Sequence, residues 1–346
     1  MRREIFRMER AAATALLERA PVVHLATTLP DGAPILRTVH GVIVDGRLCF
    51  HGAPAGEKTE ALGRPVVASA DEIIAEVPSY FVDPERACPA TTYYLSAQVH
   101  GLLEEITDLD VKARVLQALM TRFQPEGGHV PITAGDPMYR SAVKGILIVS
   151  ISLEQLDGKA KLGQNRKPVE LALILERLWQ RGRATDARAI DLVRAANPEI
   201  PTPPFLLAPE GTALFCAHGT PADADEVAAL LEGEYWNVGI PRELLARSQL
   251  GASAWVTARD ANGRIVASAR AITDGVKCGW VYDVIVAPAW RKRGLGRAVM
   301  RLLVDHPSVR DVRTLRLGTR DAQPLYRGFD FTEYTPPFSE MILRRG

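Results

Sequence analysis

Arg291, Lys292, Arg293, Gly294, Leu295, Gly296 and Arg297 set four cations and two glycines on one short turn. Before it runs an apolar segment ending Val284, Ile285, Val286, Ala287, Pro288; after it, Leu295, Val299, Leu302 and Leu303 recur as the apolar face of a helix. A helix N-terminus offers unpaired N–H donors and partial positive charge, and glycines let a ligand approach the backbone. The turn therefore suits an anion. It is not a dinucleotide fingerprint, because Val299 stands where the third glycine would be, and no G-x-x-x-x-G-K-S/T run occurs. Taken alone it also fits a capped surface helix with solvated arginines. A second candidate cradle lies at 50–62, where His51 and Gly52 precede Lys58 at a helix start.

The elements that must position these residues fall into two sets. After an amphipathic N-terminal stretch, two Asp-Gly turns, Asp31-Gly32 and Asp45-Gly46, separate runs rich in Val, Ile, Leu and Thr and predict consecutive hairpins. Further strands are expected at 65–77, 91–106 and 144–156, with a helix near 108–123. Such a meander hides its edges by closing, so a small antiparallel barrel is expected over 20–157. Helices at 168–181 and 185–196 follow. Five prolines within 198–209 then exclude regular structure and mark the seam. Beyond it the pattern predicts helices at 222–232, 241–249, 294–304 and 321–327, and strands at 252–259, 264–273, 279–286, 312–318 and 329–334. That is a mixed α/β domain. The expected domains are 1–205 and 206–346.

Length alone, 346 residues, argues for two domains. A net charge of +1 gives no electrostatic pull toward nucleic acid, and no apolar run has the ~20 residues of a membrane helix. The four cysteines, Cys49, Cys88, Cys216 and Cys278, stand singly and the histidines form no ligand pair, so no metal is expected and a reducing cytoplasm fits.

The Arg291-x-x-Gly-x-Gly296 turn, following a strand ending Val284-x-Val286-x-Pro288, resembles the acetyl-CoA motif of GNAT N-acetyltransferases. The likeness continues through 314–331, with Tyr326 at the position of that family's usual catalytic tyrosine, and upstream to 234–245; it covers roughly 212–346. The resemblance implies that Arg291 to Arg297 hold the pyrophosphate of coenzyme A and that the pantetheine arm pairs with Val284, Ile285 and Val286. A neutral amine would attack the thioester directly, and Tyr326 would protonate the leaving thiolate. Asp283 and Glu234 are candidate bases acting through water, each also suiting a turn or surface role; Tyr235 and Trp236 are candidate walls of the amine pocket. Tyr326 without the motif would read as a half-buried aromatic. Two positions depart from the family pattern: Lys292 replaces a small residue, and Asp330 replaces the glycine of the usual Phe-Gly-Phe.

The first half resembles the FMN-binding split barrels related to pyridoxamine-phosphate oxidase, especially the nitroimidazole-resistance and PaiB-like groups. The residues that carry this are Ala26-Thr27, Arg37-Thr38-Val39, His51-Gly52-Ala53, Glu57-Lys58, and Lys161 to Arg166, and the likeness covers about 1–205. It implies that Lys58 and Arg37 meet the flavin phosphate, that the backbone at Thr27 and Val39 edges the ring, and that Thr38 lies among the cofactor-binding residues. His51, Gly52, Lys161, Gln164 and Asn165 would complete a slot shared with a second subunit, hence a homodimer. Lys58 alone reads as a solvated helix residue and His51 as a satisfied strand histidine.

Together these likenesses imply a cytoplasmic protein in which an FMN-binding split barrel is coupled to an acetyl-CoA-dependent N-acetyltransferase acting on a small primary amine. Two other readings stay open: a regulator that senses flavin and acetyl-CoA, and a flavin-dependent nitroreductase-like enzyme with an accessory GNAT domain.

Overall fold

A computed structural model describes residues 4–217, 219–335 and 341 of the chain, except the side chains of Glu57 and Lys58. It forms two compact units, Met1–Arg166 and Lys167–Gly346.

The first unit comprises α1 (Arg10–Arg19), β1 (Val23–Thr28), β2 (Pro34–Val39), β3 (Val42–Val44), β4 (Arg47–Gly52), α2 (Glu57–Glu60), β5 (Pro65–Val77), β6 (Thr91–Leu102), β7 (Glu104–Glu105), α3 (Leu109–Phe123), α4 (Pro137–Gly145), β8 (Leu147–Ser152) and β9 (Gln155–Lys161). Its strands form two antiparallel sheets, β2-β1-β5-β6-β9 and β3-β4-β8-β7. The chain changes sheet between β2 and β3, β4 and β5, β6 and β7, and β8 and β9, and this interleaving gives the split-barrel arrangement. Asp45 and Gly46, with φ of 50° and 71°, supply the two left-handed residues that a tight β3–β4 hairpin needs. Val42, Cys49, Val115, Leu119 and Ile148 form one buried cluster where α3 covers the smaller sheet. The helix starts cleanly because the Asp108 carboxylate accepts from Val111 N–H (2.9 Å). Neither β9 nor α4 is apparent in the sequence pattern.

The second unit comprises α5 (Pro168–Arg181), α6 (Asp186–Ala196), β10 (Thr212–Phe215), α7 (Pro221–Leu231), α8 (Arg242–Leu250), β11 (Ala254–Asp260), β12 (Ile265–Thr273), β13 (Cys278–Val286), α9 (Leu295–Val304), β14 (Thr314–Arg316) and α10 (Gln323–Arg327). The sheet order is β10-β11-β12-β13-β14, antiparallel except for the parallel β13–β14 pair. Ala224, Val227, Ala228 and Leu231 of α7 and Leu245 of α8 bury against Trp255, Ile265 and Ile285 on the sheet. The α7 start is a capping box in which Thr220 and Asp223 satisfy each other's backbone N–H.

The compact units divide at Arg166/Lys167, whereas the sequence pattern places the seam at the prolines of 198–209. The reason is side-chain partnership. Trp179 Nε1 of α5 donates to Asp305 (2.6 Å), Arg310 returns a bond to the Trp179 carbonyl (2.9 Å), and Arg194 of α6 donates to the Leu214 carbonyl (2.8 Å). The proline stretch is not wholly irregular, since Pro204–Leu206 make a turn of 3-10 helix. The strand expected at 329–334 does not form; these residues run as a turn and irregular chain. No helix among the described residues is long and apolar enough to cross a membrane. Cys49 and Cys216 are buried, Cys88 and Cys278 exposed; burial pushes the Cys49 thiol up to about 11 and holds the Cys216 thiol well above the usual thiol range, with Asp191 adding to the latter.

Asp191 of α6 pins the chain before α7 by accepting the N–H groups of Cys216 (3.1 Å) and Ala217 (2.9 Å). Burial raises its pKa from 3.8 to about 6 against the pull of those bonds and Arg194. The folded state then binds the proton more tightly than the unfolded chain, so stability falls as pH rises from about 4 to 6, by at most ~3 kcal/mol. The side chain is still 15% exposed, which keeps the loss below that ceiling. Denaturant melts between pH 4 and 7 should show this slope, and Asp191→Asn should flatten it.

Candidate functional site

In the second unit, β12 and β13 slip register between Ser268 and Arg270, and Asp283 at the slip has a φ of 51°. The bulge bends β13. On its other edge β13 pairs with β14 only through Cys278, Gly279 and Trp280, so from Val281 to Val286 that edge has no strand partner among the described residues. Directly after it, a short turn at Pro288–Trp290 leads to Gly294, the N-cap of α9, with φ of 86° and no side-chain cap. The N–H groups of Lys292, Arg293, Gly294, Leu295, Gly296 and Arg297 meet no acceptor among the described residues; Ala298, bonded to Gly294 O (3.0 Å), is the first that does. Six successive backbone donors thus lie at one helix start that follows an open strand edge.

Gly296 marks where three elements meet. A Cβ placed on it would lie 3.7 Å from Val286 Cγ2 and 3.7 Å from Leu325 Cδ2, ordinary contact distances, and its φ is not left-handed. The protein itself therefore has room for a side chain here. Leu325 precedes Tyr326 on α10, so the helix that carries the tyrosine packs at the α9 start. Tyr326 is 9% exposed, and burial, Tyr235 and Asp321, in that order, raise its pKa above 10. It keeps its proton at neutral pH. Tyr235 is fixed in turn, accepting from Arg320 N–H (3.0 Å) with the Arg320 guanidinium 3.9 Å above its ring.

The cations divide between roles. Arg291 donates to the Val286 carbonyl (3.0 Å) and approaches Glu234 (3.4 Å), so it braces the strand end. Arg293 stacks over Trp290 (4.9 Å). Lys292 and Asp330, the two departures noted above, have φ of 61° and 63°, keeping a glycine-like backbone without a glycine. Glu234, with Arg291 beside it, caps the Tyr235–Asn237 turn; Asp283 is buried and ion-paired with Arg270 (2.6 Å). Both oxygens of Asp283 are occupied by donors, which leaves neither placed to take a proton from a water. Arg270, Asn237 and Gln249, its partners, are not singled out by any sequence motif, since they lie 13, 46 and 34 residues away.

In the first unit the residues expected to hold a flavin fall into separate groups. Thr27 donates to the Pro65 carbonyl (2.9 Å) and borders a cleft of about 850 Å³ with Arg47, His100, Glu104 and Gln155, none of them sequence candidates. Arg37, Thr38 and Val39 lie along β2, where Arg37 donates to the Leu36 carbonyl (2.8 Å) and Thr38 lies 3.5 Å from His24. His51 and Gly52 end β4, and the backbone of Lys58 lies in α2, its side chain outside the described residues. Lys161 donates to Thr91 (2.5 Å), and Gln164 bonds Leu162 N–H and Ala160 O (both 2.8 Å), while Asn165 is exposed. Lys161 stands in the row of Tyr94 and Ile73, while Thr38 and Arg37 stand in the rows of Ser69 and Ala68, four and five residues away along β5 or about 13 and 17 Å of strand, with two strands between β2 and β6. One chain does not bring the Lys161 group to the β1–β2 group.

Residues 9–160 match the family model for pyridoxamine 5′-phosphate oxidase, and residues 224–331 match that for the acetyltransferase (GNAT) family. The chain thus joins a pyridoxamine 5′-phosphate oxidase-like domain to a GNAT domain. No curated protein matches it. Among solved structures, the flavocytochrome Anf3 from Azotobacter vinelandii is 18% identical over 45% of this chain and 69% of its own, with a TM-score of 0.39. An FAD and heme binding protein from Mycobacterium smegmatis is 22% identical over 44% and 71%, with a TM-score of 0.38. A Xanthomonas campestris pv. campestris protein described as belonging to the GNAT family is 28% identical over 38% and 93%, with a TM-score of 0.34.

Asp330→Gly should relieve the left-handed strain without losing a side-chain bond, stabilising the second unit by about 1 kcal/mol and raising Tm by roughly 3 °C in a calorimetric scan.

Proposed function

We propose that this chain, a pyridoxamine 5′-phosphate oxidase-like domain joined to a GNAT domain, transfers the acetyl group of acetyl-CoA to a small primary amine in its second unit and binds flavin mononucleotide in its first. The observation that carries the transferase reading is the run of six unpaired N–H groups from Lys292 to Arg297 beside the open edge of β13. A pyrophosphate would meet those donors, and an amide-bearing arm would extend along Val284 to Val286. The neutral amine attacks the thioester carbonyl, and the resulting oxyanion is met by a strand N–H. Collapse breaks the C–S bond, and the Tyr326 hydroxyl gives its proton to the departing thiolate. Its raised pKa suits a donor that must arrive protonated. Glu234, on the acceptor side and partly solvated, is the better-placed candidate to draw a proton from the amine through water; Asp283 is not retained for that role.

For the flavin reading, support comes from the family match over 9–160 and from the polar set on β2 and β4, Arg37, Thr38 and His51, a donor set suited to a phosphate dianion. Bound flavin would supply two-electron chemistry; the chain's own part is to hold the phosphate and edge the ring. A slot that also uses Asn165, at the far end of the sheet, needs a second copy, which is the support for a homodimer.

Native mass spectrometry of the purified chain should show a dimer carrying flavin mononucleotide and coenzyme A. A colourless monomer that the flavin does not stabilise against heat would remove the first half of the reading. For the second half, thiol release from acetyl-CoA is followed with putrescine, tyramine, glycine and 4-aminobenzoate. Gly296→Ala fits the protein and improves a helix position, so Tm should hold or rise by roughly 2 °C while acetyl-CoA binding falls at least ~10-fold. Tyr326→Phe should lower kcat about 100-fold with little change in the KM for acetyl-CoA. Unchanged kinetics in both variants would discard the site.

A further inference from the structure

We infer that Asp283 is a positioning residue that locks the acceptor-side wall of the transferase site to the bulged strand. Its Oδ1 accepts from Trp236 Nε1 (3.1 Å) and Asn237 Nδ2 (3.5 Å); its Oδ2 accepts from Arg270 Nε (2.6 Å) and Gln249 Nε2 (3.2 Å). These donors come from the Tyr235–Asn237 turn, from β12 and from α8. The Asp283 side chain is 3% exposed and Gln249 is fully buried, with its Oε1 lacking a partner.

Two constraints meet at this carboxylate. A left-handed backbone at a residue with a side chain persists only where the surroundings over-determine it, and four donors on two oxygens do so. Conversely, the turn that bears Tyr235 and Trp236 has little core of its own: Val238 is 78% exposed and Ile240 43%. Its reference point is Asp283, one residue from Val284, where the acyl group would be presented. Gln249 accepts the cost of an unpaired buried oxygen and still directs its N–H to Asp283, which marks that contact as the function of the side chain. The lock therefore sets the distance between amine and thioester, and loosening it should weaken acceptor binding before it weakens acetyl-CoA binding.

This inference rests on the transferase reading, and the test separates the two. Gln249→Met keeps length and burial, leaves the Arg270–Asp283 pair intact, and cannot touch an acceptor directly. Without any substrate, hydrogen exchange at the Asn237 and Ile240 amides should quicken by about fivefold, the loss of one hydrogen bond. With whichever amine of the panel turns over, its KM should rise by a similar factor while the KM for acetyl-CoA and the shape of the pH–rate profile stay put. Unchanged exchange overturns the lock, as does a rise confined to the acetyl-CoA KM. Faster exchange in a chain that acetylates no amine upholds the lock and rejects the transferase. Asp283→Asn leaves Arg270 buried without its charge partner and risks misfolding; if it folds, loss of the acidic limb of the pH–rate profile would return Asp283 to a base role and overturn the proposal.

Discussion

A strand in a sheet can offer hydrogen bonds to a ligand only where its neighbouring strand stops or turns away. In this chain that condition is met by the slip between Ser268 and Arg270, which bends β13 after its three parallel pairs with β14. The open edge, the short turn that follows it and the start of α9 are consequences of one another. Had β13 continued straight, β14 could have followed it, and the donors of Lys292 to Arg297 would face a closed sheet. The geometry is held by a residue whose backbone is unfavourable and whose side chain is saturated, so a local cost is offset by a buried polar cluster.

The two proposed anion sites are built differently. The second unit uses backbone: a glycine cap, six N–H groups and little direct side-chain charge, since Arg291 is committed to Val286 and Glu234 and Arg293 to Trp290. The first unit has side chains on strand faces, Arg37 and His51 among them, with a helix of four residues too short to act as a cradle in its own right. A site built from backbone is rigid and tolerant of substitutions in its cations, whereas one built from side chains depends on each residue that reaches it.

Much of the second unit is legible in the sequence because its signals are local. In that unit the apolar spacing of α9, and in the first unit the Asp31-Gly32 and Asp45-Gly46 turns and the span of β5, need only neighbouring residues to be recognised. The cradle is likewise contained within seven positions. What was not legible depends on distance. Asp283 reads as an acid beside the acyl strand, and only the fold shows that Trp236, Asn237, Gln249 and Arg270 close around it. The proline seam looked like a boundary because prolines exclude helices, yet α5 and α6 find their partners beyond it, at Asp305, Arg310 and Leu214. The strand expected at 329–334 fails at its second residue, Asp330, which sits in a left-handed turn.

The distribution of thiols gives the chain a property unrelated to catalysis. Cys49 and Cys216 are enclosed and hold their protons firmly, whereas Cys88 in the first unit and Cys278 in the second face solvent. A maleimide dye at neutral pH would therefore mark one place in each unit of the unaltered sequence. The molecule comes already equipped for a two-colour ruler, able to report the spacing of its halves without an engineered cysteine.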